Sequence, residues 1–209
     1  SGTGEMKGWI NQDTLRPWHN SKLCITTVRI NQGVTSIGGS AFYGCSSLTR
    51  IEIPNSVTSI GYGAFRGCSN LTSIEIPSSV TSIGSYAFYG CSSLISINVD
   101  RNNVNYISEN GVLFNKERTN IVKYPDGKKE NSYIIPSSVT SIGSCAFYGC
   151  SSITSIEIPS SVTSIGERAF YGCSSLTSIE ISKSVKSISY SVFDECSSLR
   201  EINVNSENT

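Results

Sequence analysis

One phrase of 23 residues is repeated along this chain, and no other property narrows its possible folds so far. The clearest copy runs Ile76-Pro77-Ser78-Ser79-Val80-Thr81-Ser82-Ile83-Gly84-Ser85-Tyr86-Ala87-Phe88-Tyr89-Gly90-Cys91-Ser92-Ser93-Leu94. Its signature Ala-Phe-x-Gly-Cys closes at Cys45, Cys68, Cys91, Cys150 and Cys173, and a worn copy, Val192-Phe193-Asp194-Glu195-Cys196, ends the series. A fixed period of about 20 to 50 residues is the mark of a solenoid, in which one supersecondary unit stacks on the next. A single copy has only Ile74, Ile76, Val80, Ile83, Phe88 and Leu94 to bury. That is too little to offset the entropy of ordering its backbone, so neighbouring copies must complete its core.

Within a copy, Leu71-Thr72-Ser73-Ile74-Glu75-Ile76 alternates apolar and polar residues, which predicts a short half-buried strand. Pro77 ends it, having no amide to donate. Val80-Thr81-Ser82-Ile83 is a second extended stretch, Gly84 allows a turn, and Ala87 to Cys91 is expected to form a helical or 3-10 turn. Coils that return to the same start make their strands parallel. Trp9 and Trp18 are expected to cover the open end of the first coil.

These residues carry a resemblance. The pattern Leu-x-x-Ile-x-Ile-Pro-x-Ser-Val-x-x-Ile-Gly-x-x-Ala-Phe-x-x-Cys, over roughly residues 25 to 205, resembles the BspA-like leucine-rich-repeat family, whose repeats are of the Treponema type. The resemblance implies a leucine-rich-repeat solenoid: a curved right-handed superhelix, β-rich, with short parallel strands. It also implies display at the surface of host-associated bacteria or protists and adhesion to host matrix proteins, glycans or other cells. The six repeat cysteines are expected to form an internal column of buried thiols, in the place where other leucine-rich repeats use asparagine. Cys24 and Cys145 stand outside that column, and a bridge between them has no support in the spacing.

Composition excludes several alternatives. Sixteen basic and sixteen acidic residues balance to no net charge, which argues against a general binder of nucleic acid or anionic membrane. No apolar run is long enough to span a bilayer, and the opening residues do not read as a secretory signal. The first residues resemble the tail of a cap, and Ile202-Asn203-Val204 echoes Ile97-Asn98-Val99, so the chain is expected to be a fragment of a longer exported protein. No cofactor or metal is expected: cysteine pairs at zinc spacing and a phosphate-binding loop are missing, and the only histidine, His19, lies in the capping segment.

The expected organisation is a cap over residues 1–30, regular repeats over 31–99, irregular variant coils over 100–135, and regular repeats again over 136–209 before a further irregular module, all one continuous solenoid. Cys91 and Cys150 lie 59 residues apart, 36 more than one period. Anchored on the strands, with Val99, Tyr124 and Ile135 as equivalents, the excess reads as one variant coil and one very short one. Gly111 to Asn115 and Asn120 to Tyr124 read as two strands joined by a polar turn.

A partner would meet the strand residue that points outward between two core positions. That slot holds Arg29, Glu52, Glu75, Asn98, Lys123, Ile134, Glu157, Glu180 and Asn203, with Glu52 expected to face Glu75 and Glu157 to face Glu180. The x of Ala-Phe-x-Gly-Cys supplies a second stripe: Tyr43, Arg66, Tyr89, Tyr148, Tyr171 and Asp194. Two functions follow. The favoured one is a non-catalytic, monomeric adhesion or protein-interaction module. The alternative is a carbohydrate-active enzyme in which Glu52 and Glu75 serve as a retaining pair of carboxylates.

Overall fold

The computed structural model describes residues 4–5 and 17–204. The chain forms two compact units, Ser1–Leu113 and Phe114–Thr209. Each is a β-solenoid of stacked coils, and among the described residues the single helical element is a 3-10 turn at His19–Ser21. In chain order the strands of the first unit are β1 (Gly4–Glu5), β2 (Thr27–Arg29), β3 (Val34–Ile37), β4 (Arg50–Glu52), β5 (Ser59–Ile60), β6 (Ser73–Ile76), β7 (Ser82–Ile83), β8 (Ser96–Val99) and β9 (Tyr106–Glu109). Next in sequence comes β10 (Val112–Asn115). The second unit continues with β11 (Asn120–Lys123), β12 (Ser132–Ile134), β13 (Ser141–Ile142), β14 (Ser155–Glu157), β15 (Ser164–Ile165), β16 (Ser178–Ile181), β17 (Ser187–Ile188) and β18 (Glu201–Val204).

Each unit has two rows of strands, because each copy of the repeat contributes two extended stretches. In the first unit β1, β3, β5 and β7 stack in parallel, placing Ile37, Ile60 and Ile83 in one register. The second row consists of the parallel pairs β2–β4 and β6–β8, with Val28 beside Ile51 and Ile74 beside Ile97. The second unit repeats the scheme: β11, β13, β15 and β17 form one row, and β12–β14 and β16–β18 the other.

The core is built of columns, each holding one slot of the repeat. In the first unit Trp18, Phe42, Phe65 and Phe88 stack face to face with centroids 5.6, 5.6 and 5.8 Å apart. Trp18 also donates Nε1–H to the Ala41 carbonyl at 2.9 Å, so it caps the column as expected; Trp9 lies outside the described residues. In the second unit Tyr124, Phe147, Phe170 and Phe193 stack at 5.2, 5.2 and 5.7 Å. Beside them the six repeat cysteines are buried, and all eight cysteines of the chain are free thiols. Cys68, Cys91, Cys173 and Cys196 each donate S–H, at 3.1 to 3.2 Å, to the carbonyl of the aromatic residue one coil earlier. A thiol at this slot therefore fills volume like an apolar group and also satisfies a buried acceptor.

The polar half of the repeat is structural as well. Hydroxyls of Thr58, Thr81 and Thr163 donate to the carbonyl of the threonine 23 residues earlier, at 3.1 to 3.2 Å. Ser56, Ser79 and Ser161 donate to the carbonyl of the valine slot one coil back, at 2.6 to 2.7 Å. The stretch expected as a helical turn is a run of tight turns. Alternate amides bond three residues back, as Cys91 does to Phe88, or reach the next coil, as Phe65 does to Ala87. A helix cannot continue there because the residue before the Ala slot is left-handed in every copy: Ser40, Gly63, Tyr86, Cys145, Arg168 and Ser191 have φ between 51° and 61°.

Gly84 is required by proximity: a Cβ there would lie 2.6 Å from Tyr62 N and 2.7 Å from Gly61 C, both backbone atoms of the coil before. The coils approach this closely only because Gly84 carries no side chain. Gly84→Ala is expected to push the coils apart and cost about 1–3 kcal/mol, measured as a lowered denaturant midpoint. An unchanged midpoint would show that the backbone contact is not constrained.

Candidate interaction surface

The outward strand slot is where most of the expected residues converge, and its two halves differ in chemistry. In the first unit Arg29 stands beside Glu52 on the β2–β4 ladder, with Nε 2.7 Å from Glu52 Oε2. Arg50 Nη2 approaches the other carboxylate oxygen at 3.1 Å. The hydrogen bond from Arg29, joined by the charges of both arginines, holds the Glu52 carboxyl below the usual carboxylate range. One ladder further, Asn98 Nδ2 donates to Glu75 Oε1 at 2.7 Å. Glu52 and Glu75 are thus each in ladder register with a donor inside their own two-stranded sheets, Glu52 with Arg29 and Glu75 with Asn98.

In the second unit the same slot holds Ile134, Glu157, Glu180 and Asn203. Ile134, in register with Glu157, is 68% exposed. Both glutamates are exposed, and they line one open groove of about 400 Å³ with Tyr133, Ser155 and Ile158.

Lys123 does not join this surface. It is only 4% exposed and forms an ion pair with Asp126, which is equally enclosed. Its Nζ also donates to the carbonyls of Cys145 at 3.1 Å and Tyr148 at 3.5 Å. The cause is phase. β11 pairs with β13, setting Ile121 beside Ile142, and the Tyr124 ring takes the Phe slot against Phe147. Lys123-Tyr124-Pro125-Asp126-Gly127 therefore lies over Ala146-Phe147-Tyr148-Gly149-Cys150, and the lysine occupies a slot that is a buried alanine elsewhere. The coil leading from Tyr124 to Phe147 has the ordinary 23-residue length, so the very short coil expected around Ile135 does not occur. The two strands read on either side of the polar turn are β10 and β11, and the Asn115 side chain ties that turn by accepting from the Asn120 amide at 2.7 Å and donating to Thr119 Oγ1 at 2.8 Å.

The tyrosine stripe is half-buried and stacks between coils. In the first unit the Arg66 guanidinium lies 5.5 Å from the Tyr43 ring centroid and 4.7 Å from that of Tyr89. In the second unit Tyr148 and Tyr171 stack at 5.1 Å. Both arrangements use the rings to hold consecutive coils together. His19 begins the 3-10 turn and is half-buried. Burial pushes the thiol of Cys145 up to about 11 and that of Cys150 well above its ordinary range, so neither is a poised nucleophile.

Parallel strands, a repeat of constant length and columns of slot-equivalent side chains define a leucine-rich-repeat solenoid. The BspA type leucine rich repeat region matches this chain in six copies over residues 18–130 and 124–209, and the chain belongs to that family. A leucine-rich repeat protein of Eubacterium ventriosum is similar at 31% identity and a TM-score of 0.72, over 99% of this chain and 67% of its own. The pneumococcal vaccine antigen PcpA is similar at 25% identity and a TM-score of 0.76, over 87% of this chain and 51% of its own. A leucine rich cell surface protein of Faecalibacterium prausnitzii is similar at 28% identity and a TM-score of 0.63, over 88% of this chain and 60% of its own. The chain thus spans about half to two thirds of the length of these structures. No curated protein matches it. Among the described residues no helix is long and apolar enough to cross a membrane.

Proposed function

We propose that this chain is a non-catalytic interaction module displayed on a cell surface, which meets protein or glycan on a host or neighbouring cell through its outward strand rows. The observation that carries this reading is the outward slot itself. At one register of each unit a parallel ladder presents polar and charged side chains to solvent, while the apolar slots and many serine and threonine hydroxyls serve packing and coil-to-coil hydrogen bonds. Surfaces built this way suit recognition, because the scaffold is ordered before the partner arrives. The family and a relative described as a cell surface protein support the location. The proposed organisation keeps the cap at residues 1–30, the regular repeats at 31–99 and 136–209, and the irregular stretch at 100–135 between them.

A glycosidase reading needs a general acid that holds its proton near neutrality, and Glu52, paired with two arginines and held ionised, does not supply it. The immobilised chain is expected to bind at least one host matrix protein or surface glycan at or below tens of micromolar, and Glu75→Gln with Glu157→Gln and Glu180→Gln to weaken that binding. The absence of binding across a matrix-protein and glycan panel would overturn the proposal, as would polysaccharide hydrolysis by the wild type that Glu75→Gln abolishes.

A further inference from the structure

We infer that the groove of the second unit receives an arginine side chain from an extended segment of a protein partner, an inference that rests on the interaction-module reading and names what one site on it accepts. The warrant is a comparison internal to the chain. Arg29 and Glu52 are partners across the β2–β4 ladder, and Ile134 and Glu157 are partners at the equivalent place on β12–β14. In the first unit the chain supplies its own guanidinium to the glutamate, at 2.7 Å. In the second unit the residue in the arginine's place is an isoleucine, exposed to 68%, and a groove of about 400 Å³ opens between it, Glu157 and Glu180.

The chemistry of the groove selects the occupant. A purely apolar ligand would cover Ile134 and Ile158 but strip water from Glu157 without replacing it, and a small cation would leave the isoleucines wet. An arginine satisfies both, because its methylene stem lies along apolar surface while its planar fork meets a carboxylate with two parallel donors. The groove is too open to enclose a whole ligand, which fits a side chain presented by a longer segment crossing the strands. Ser132 and Ser155, on the same strands, add hydroxyls at the rim for that segment's backbone.

The test uses the whole chain, isotopically labelled, titrated with the acetylated, amidated peptide Ala-Arg-Leu-Arg-Ala and with its citrulline counterpart, which keeps the shape and removes the charge. The arginine peptide is expected to shift the amide resonances of residues 132–134 and 155–158 and to bind about five-fold tighter than the citrulline peptide. Glu157→Gln should erase that preference. Ile134→Arg, which rebuilds the Arg29–Glu52 arrangement in the second unit, should abolish binding while leaving the remaining resonances in place. The inference is overturned if millimolar arginine peptide leaves these amides unmoved, if citrulline binds equally well, or if Ile134→Arg binds undiminished. Matrix-protein or glycan binding that survives in Ile134→Arg would discard the arginine groove and keep the module. Loss of all partner binding in the wild type would remove both.

Discussion

Replacing either Lys123 or Asp126 alone is expected to destabilise the second unit by about 3–5 kcal/mol, while replacing both with neutral residues of similar size should return stability to within about 1 kcal/mol of the wild type. The pair sits in the aromatic and thiol core, with side chains 5% and 2% exposed. Asp126→Asn leaves a buried ammonium with two carbonyls and no counter-charge; Lys123→Met leaves a buried carboxylate. Each single variant therefore retains the desolvation cost of one ion and loses its compensation. Lys123→Met with Asp126→Asn removes both charges, so the double-mutant cycle should show a coupling of about 5 kcal/mol or more by chemical denaturation. Additive single effects would mean that the pair is solvated. Burial is the largest single influence and would lower the Lys123 pKa, but the charge of Asp126, its hydrogen bond and the neighbouring Cys150 and Cys145 together outweigh it, and the net shift is upward. A raised lysine stabilises the fold at every pH below the ordinary lysine value of about 10.4, and that contribution fades only as pH rises through the folded value. The effect of these variants should accordingly be flat from pH 6 to 9.

The burial of Lys123 shows what the repeat does and does not encode. Strand positions, the parallel stacking, the thiol column and the cap at Trp18 were legible, because each is one slot copied at a constant interval. Tyr124 kept that interval too, lying 23 residues before Phe147. Hydrophobic alternation points Lys123 outward, whereas the aromatic slot held by Tyr124 points it into the core. The left-handed residue before the Ala slot could not be read, since Ser40, Tyr86, Cys145 and Arg168 share no backbone preference and only Gly63 declares one. Nor did the identity of slot neighbours reveal which ladder is continuous. Arg29 stands one repeat before Glu52 and Asn98 one repeat after Glu75, but which neighbour each glutamate meets is set by the β2–β4 and β6–β8 ladders.

The buried thiols make this fold sensitive to alkali well below the lysine range, and stability is expected to fall by about 3 kcal/mol between pH 8.5 and 10 from Cys150 and Cys173 alone. Burial raises both thiols well above their ordinary value, so in the folded chain they stay protonated across this interval. Unfolded thiols release their protons from about pH 8.5. The folded state then binds more protons than the unfolded one, and each such thiol subtracts up to about 1.4 kcal/mol per pH unit. The sign is that of any acid whose folded pKa is raised: the stabilisation is complete below the unfolded value and lost as pH climbs beyond it. Cys145 and Cys196, also raised by burial, act in the same direction. Denaturant midpoints measured from pH 7 to 10 under a phosphine reductant should descend steeply above pH 8.5. Cys150→Ala with Cys173→Ala should start lower at pH 7, because two packed side chains and the Cys173 bond to the Phe147 carbonyl are gone, yet descend less steeply. A wild-type midpoint that stays level to pH 10, or a double variant with an undiminished slope, would show that the thiols ionise within the folded coils and that the column is open to water.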